Sequence, residues 1–263
     1  MPSLRVHKDY QGVRNLPFCY LCGREFVETD QLSGDHVPPR AAFNARDRQP
    51  VLKLETHKTC NESFSVDDKK VAQLIALRRR ERPSSARDSA LRFALYPGPG
   101  GGAGVVNLDV DQAVWRWIRG FHAALYRQPL LTTNHAIVTP FPRADLGSGV
   151  PKVRPLRPQH ALAVRVLKYN RHVGNLDALV ANNGQLRYEC VWAEADDGGR
   201  WFCMFGLDIY DWKDLGSHSE EIPARGCAGM YALPDYSLPA GATVGRDPVI
   251  EIPSKDPLDP FGA

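Results

Sequence analysis

Two short ligand pairs constrain this chain more than anything else in it: Cys19-Tyr20-Leu21-Cys22 and His57-Lys58-Thr59-Cys60. Two residues separate the ligands of each pair, so a single tight turn lets both bind the same ion. Gly23 follows the first pair and permits such a turn. Together the pairs supply the four soft or borderline donors of one tetrahedral zinc site. The 35 positions from Cys22 to His57 are long enough to hold a hairpin.

Cysteine is often buried for packing alone, but paired two-residue spacings argue against packing as the whole explanation. Disulfides are the other use for the six cysteines of this chain. They are disfavoured here. Met1 to Tyr10 is polar and basic, unlike a secretory leader. No stretch approaches the roughly 18 apolar residues of a membrane span. The expectation is a reducing, cytoplasmic compartment without membrane contact, where such spacing reads as metal-binding. Cys190, Cys203 and Cys227 are scattered and read as structural.

Between the ligand pairs, Val27 to Gly34 reads as a strand and turn leading into Asp35-His36. Pro38-Pro39 follows and ends regular pairing, because proline has no N–H to donate. His36 is therefore expected at a strand end. Asn61 opens a helical pattern carried by Val66, Lys70, Val71, Leu74, Ile75 and Leu77. Ser65 and Asp68 have the spacing of a capping box. A hairpin, a helix and a metal between them form a ββα-metal layout.

These residues resemble the HNH endonucleases, in a branch with C-x-x-C-G, then E/D-H-V-P-P-x-x-x-F, then C-x-x-C-N-x-x-F-S-x-D. The matching positions are Cys19, Cys22, Gly23, Asp35, His36, Val37, Pro38, Pro39, Phe43, Cys60, Asn61, Phe64, Ser65 and Asp67 or Asp68. The resemblance covers about residues 15–75. His57 stands where the family usually has cysteine, and the middle Asn of HNH has no clear match among Leu52, Lys53 and Leu54. The resemblance implies that His36 is the general base. A neutral imidazole, with an ordinary pKa of about 6.5, suits that task. It also implies that Asp35 and the Asn61 amide oxygen hold a catalytic Mg²⁺ or Mn²⁺. The zinc, held by Cys19, Cys22, His57 and Cys60, then only staples hairpin to helix.

Charge supports a polyanionic partner, expected to be DNA. The net charge of +3 is uneven: residues 1–100 hold 17 Lys and Arg against 12 Asp and Glu, and the remainder is slightly acidic. Arg40, Arg46, Arg48, Lys53 and Lys58 fall within the hairpin region and are candidate phosphate contacts. Lys69, Lys70, Arg78, Arg79, Arg80 and Arg82 follow on or after the helix, where a solvated face explains them equally well.

The expected fold is α+β in three segments: a zinc-stapled nuclease-like module at 1–80, a helical connector at 81–128 and a β-rich region at 129–263. Asp88 to Tyr96 reads as a short helix, and Pro97 to Gly104 as a linker or loop. It is not a phosphate loop, since no Lys-Ser/Thr follows the glycines. Asp111 to Arg127 shows a helical stripe of Val114, Trp115, Ile118, Phe121, His122 and Leu125. His122 on that stripe reads as a packed core residue. Arg119-Gly120-Phe121 is weakly similar to a helix that follows the nuclease module in the same branch. Strands are expected at 136–139, 161–167, 186–192, 201–209 and 249–252, with turns at Asn182-Asn183-Gly184 and Asp196-Asp197-Gly198-Gly199. Tyr210, Asp211 and Trp212 close a strand, as core or as a ligand surface. The β-rich region shows no catalytic constellation and is expected to support the module, select substrate or bind a partner. The alternative to a nuclease is a non-catalytic zinc module that binds nucleic acid or protein.

Overall fold

A computed structural model describes residues 4–5, 15–48, 52–78, 91–95, 103–105, 108–138, 158–195, 198–210 and 227–245. In chain order the elements are β1 (Leu4–Arg5), β2 (Leu32–His36), β3 (Lys53–His57), α1 (Lys58–Glu62), α2 (Ser65–Arg78), β4 (Phe93–Leu95), β5 (Ala103–Val105), α3 (Val110–Tyr126), β6 (His135–Val138), α4 (Pro158–His172), β7 (Asp177–Ala181), β8 (Leu186–Glu194), β9 (Trp201–Ile209) and β10 (Cys227–Tyr231). The fold is α+β. The expected strand at 249–252, and Arg79, Arg80, Arg82, Asp211 and Trp212, lie outside the described residues.

One sheet of six strands runs in the order β1-β7-β8-β9-β10-β6, antiparallel throughout except for the β1–β7 edge pair. Its central strands are apolar on both faces because a helix covers each. Tyr188, Cys190, Trp192, Cys203, Phe205, Leu207 and Tyr231 join the core built around α3. Val191, Phe202, Met204 and Met230 alternate with them and join the core of α4. Such two-sided burial explains the unbroken run Trp201-Phe202-Cys203-Met204-Phe205, in place of simple alternation. Asn182 and Asn183 adopt left-handed backbone between β7 and β8, as the Asn-Asn-Gly signal suggests.

Two expectations fail here. Residues 161–167 were expected as a strand and instead lie within α4. Ala163, Val166, Leu167 and Asn170 are buried at three- and four-residue spacing, so the period is helical. The valines of that run pack well in either state. Residues 88–96 were expected as a short helix, but Phe93–Leu95 forms β4 and pairs with β5. A three-residue apolar run is too short for its period to identify it. The Pro/Gly-rich connection lies between these strands, and its last residues, Ala103 and Gly104, are part of β5.

Helix α3 forms as its periodicity predicts. Asp109 caps it, its carboxylate accepting from the Gln112 N–H at 3.2 Å, and Arg127 ends it in the left-handed region. Phe121 packs on Tyr188 of the sheet at 4.8 Å between ring centroids, and His122 is fully buried beside the Tyr231 hydroxyl at 2.9 Å. Burial drives the His122 pKa down to about 3, so it is a neutral core residue at ordinary pH. Other positions of the helix face the N-terminal hairpin. One continuous core therefore runs from Leu16 through α3 to Tyr231, across the segment limits at 80 and 128.

Gly120 marks the closest approach of α3 to the hairpin. A Cβ there would stand 2.7 Å from Val37 Cγ1 and 3.3 Å from Tyr20 Cε2. On an open helix, Gly→Ala gains about 1 kcal/mol. At Gly120 overpacking reverses the sign, and Gly120→Ala should cost about 1–3 kcal/mol in urea unfolding. A neutral or stabilising outcome would contradict this packing.

Candidate metal centre and strand-end histidine

The ligand cluster is built by two short elements. Cys19 and Cys22 sit on a turn closed by Gly23 N–H donating to Cys19 O at 2.7 Å and Cys19 N–H donating to Arg24 O at 2.9 Å. Gly23 has φ +77°, a conformation that favours glycine. His57 ends β3, and Cys60 lies one turn into α1. The antiparallel pairing of Leu32 with His57 through His36 with Lys53 sets the hairpin register. The result places Cys19, Cys22, His57 and Cys60 with their ligand atoms all within 4.8 Å of one another.

A tetrahedral zinc thiolate needs sulfur atoms about 3.8 Å apart, so this spacing suits a metal ion with little adjustment. The donor set of three thiols and one imidazole also suits zinc over harder cations. His57 presents Nδ1 to the cluster, 3.3 Å from Cys22 Sγ, and turns Nε2 to Asp30 Oδ2 at 3.1 Å. That is the arrangement in which a carboxylate fixes the tautomer of a ligating histidine. Asp30 is itself held, its Oδ2 accepting from Val27 N–H at 2.9 Å. Burial opposes ionisation of Cys22, yet hydrogen bonds from Arg24, Cys19 and His57 bring its thiol down to about 6. Cys60 is pushed up to about 11 by burial and by its cysteine neighbours. All six cysteines are free thiols.

Strand β2 sends Asp35 and His36 to opposite faces, as adjacent strand residues must. His36 pairs across the hairpin with Lys53, whose side chain lies over Gly34. It is half-buried, and its pKa falls below 6.5 through burial and then through the positive charges of Lys53 and Arg40. Asp35 is 4 % exposed and faces inward. Its Oδ2 accepts from the Tyr20 hydroxyl at 2.5 Å and from Arg116 Nη2 at 2.6 Å. Arg116 Nη1 donates to Asp68 at 2.5 Å, and the guanidinium lies 4.8 Å from the Phe64 ring centroid. The Asp68 carboxylate thus goes to Arg116 rather than completing the expected capping box. Burial pushes its pKa up to about 6, and burial and the Asp35 charge hold Tyr20 neutral.

The Asn61 amide donates to Ser33 Oγ at 3.1 Å, fastening α1 to β2. Among the basic residues expected at phosphate, Arg40 and Lys53 are exposed near His36. Arg46 is exposed on a separate turn beside Asp47. Lys58 is exposed, 4.0 Å from Glu62. Arg48 braces the hairpin connection instead, its Nε donating to Phe43 O at 3.0 Å. The Tyr210 hydroxyl accepts from Asn44 N–H at 2.7 Å in the same connection, so Tyr210 is a packing residue.

The sequence did not single out Arg116, Arg119, Tyr20 or Asp30 as site residues. Arg119 donates from Nε to Leu130 O at 2.9 Å and from Nη2 to Leu21 O in the Cys19–Cys22 turn. The available signal was a pair of arginines, three apart, inside an otherwise apolar helix. Buried arginines demand acceptors.

Compared with known proteins, the chain matches no family model, no curated protein and no solved structure. Among the described residues, no helix is long and apolar enough to cross a membrane.

The Asp30 contact predicts a measurable effect on metal retention. Asp30→Ala should weaken binding by roughly tenfold to a hundredfold in a chelator competition. Unchanged affinity would remove Asp30 from the account of the centre.

Proposed function

We propose that this protein is an HNH-type endonuclease that hydrolyses phosphodiester bonds in DNA, with a structural zinc on Cys19, Cys22, His57 and Cys60 and with His36 as general base. The observation that carries the reading is the setting of His36. It ends a strand of a hairpin clamped by a metal-binding cluster, is half-buried with a lowered pKa, and lies near two exposed cations. Burial keeps the imidazole neutral near pH 7, as a base must be. Lys53 and Arg40 supply positive charge for a phosphate drawn to the same face. His36 takes a proton from the attacking water while its oxygen bonds to phosphorus. The bond from phosphorus to the leaving oxygen breaks, and that oxygen takes a proton from solvent.

The HNH resemblance implies a catalytic Mg²⁺ or Mn²⁺ at Asp35 and Asn61. Asp35 as placed does not fit such an ion. It is buried, and its Oδ2 is already shared by a phenol and a guanidinium. That disagreement also favours a second reading, in which the zinc module binds nucleic acid without cutting it.

Nicking of supercoiled plasmid separates the two readings. His36→Ala should abolish nicking while leaving metal content and melting temperature unchanged. Full activity in that variant would refute the assignment, and a folded, metal-loaded wild type that binds but never nicks would favour the second reading. The acid limb of the pH–rate profile should lie below pH 6.5, because activity is lost as His36 gains its proton. Lys53→Met removes a positive neighbour and should move that limb up toward 6.5. A limb that stays put would exclude His36 as the group that titrates.

A further inference from the structure

The buried cluster around Asp35 has an independent meaning. Arg116 is 3 % exposed and sits on α3, 81 positions along the chain from Asp35. Its guanidinium bridges Asp35 at 2.6 Å and Asp68 at 2.5 Å, and Tyr20 donates to the same Asp35 oxygen. One cation therefore ties together three separate pieces: the strand carrying His36, helix α2 and the ligand turn at Cys19–Cys22. Burial works against the Arg116 charge, and the Asp35 and Asp68 carboxylates outweigh it. A divalent ion on the same Asp35 oxygen would meet a fixed positive charge at hydrogen-bond distance, with water excluded and little screening.

We infer that the Arg116 guanidinium is the resident cation of the Asp35 carboxylate, so that Asp35 anchors β2 to α3 and is not a ligand for a divalent metal. The inference refines the nuclease reading by assigning Asp35 to the frame, leaving reactivity to the opposite face of the hairpin with His36, Lys53 and Arg40. It does not depend on cleavage, because binding and stability test it directly.

The zinc-loaded chain would be titrated with Mn²⁺ by electron paramagnetic resonance, as wild type, Asp35→Asn, Arg116→Met and the double variant. The same four proteins would be melted. Mn²⁺ binding should be the same in wild type and Asp35→Asn. Each single variant should lower the melting temperature by on the order of 10 °C, since Arg116→Met leaves two carboxylates without their cation and Asp35→Asn leaves the buried guanidinium with Asp68 alone. The double variant should lose less than the sum of the two, because the partners are in contact. A tenfold or greater loss of Mn²⁺ affinity in Asp35→Asn would overturn the inference. So would a gain of Mn²⁺ binding in Arg116→Met that the double variant lacks, which would make the arginine a plug on a true cation site. Should Arg116→Met fail to fold, Asp35→Asn alone still decides the Mn²⁺ question. Loss of plasmid nicking in His36→Ala is read separately, so the failure of either idea is distinguishable from failure of the other.

Discussion

Three thiols and one imidazole converge where a turn, the end of a strand and the start of a helix meet. The N-terminal region depends on that convergence. A two-stranded hairpin is marginal in water by itself, and β2 and β3 are five residues each. Neither strand continues into a larger sheet. A metal at the cluster would cross-link Cys19 and Cys22 to His57 and Cys60, beside the apolar packing of Val37, Leu52 and Leu54. His57 pairs with Leu32 at the clamped end, and His36 pairs with Lys53 at the far end, where the chain turns away at Pro38. The strand register decides which face His36 occupies.

Helix α3 is the second requirement. It presents Phe121 and His122 to the large sheet and Arg116, Arg119 and Gly120 to the hairpin. Toward the hairpin the two arginines add ion pairs and hydrogen bonds to the close packing at Gly120, while toward the sheet aromatic rings dominate and Tyr126 and His122 add hydrogen bonds. Arg119 reaches the ligand turn through Leu21 O, and Arg116 reaches the strand of His36 through Asp35. Helix α3 therefore joins the large sheet to the hairpin beside the ligand cluster. Tyr210 adds a smaller contact from the end of β9 to the hairpin connection.

Features set by local spacing were legible in the sequence. The ligand pairs, the strand-end position of His36, the stripe of α3, and the strands β8 and β9 all follow from residues within one or two turns of each other, while Asp196 and Asp197 of the expected turn lie outside the described residues. What was misread depended on distance or on ambiguous runs. Ala161 to Leu167 is rich in residues that suit either a strand or a helix, and only its packing against the sheet decides for α4. The Arg116 partner of Asp35 was hidden because it lies on another helix, far along the chain. The bond from Arg48 to Phe43 O was hidden because nothing local in the sequence shows it. Charge in a sequence states what a residue can bind. Burial decides what it does bind, and burial is a property of the whole fold.

The most direct test of the central claim is zinc K-edge X-ray absorption of the purified chain. The account predicts one zinc with three sulfur neighbours at about 2.3 Å and one nitrogen at about 2.0 Å. A zinc shell of nitrogen and oxygen alone, or a folded chain that takes up no zinc, would contradict it and leave the hairpin without the clamp from which the rest of the site follows.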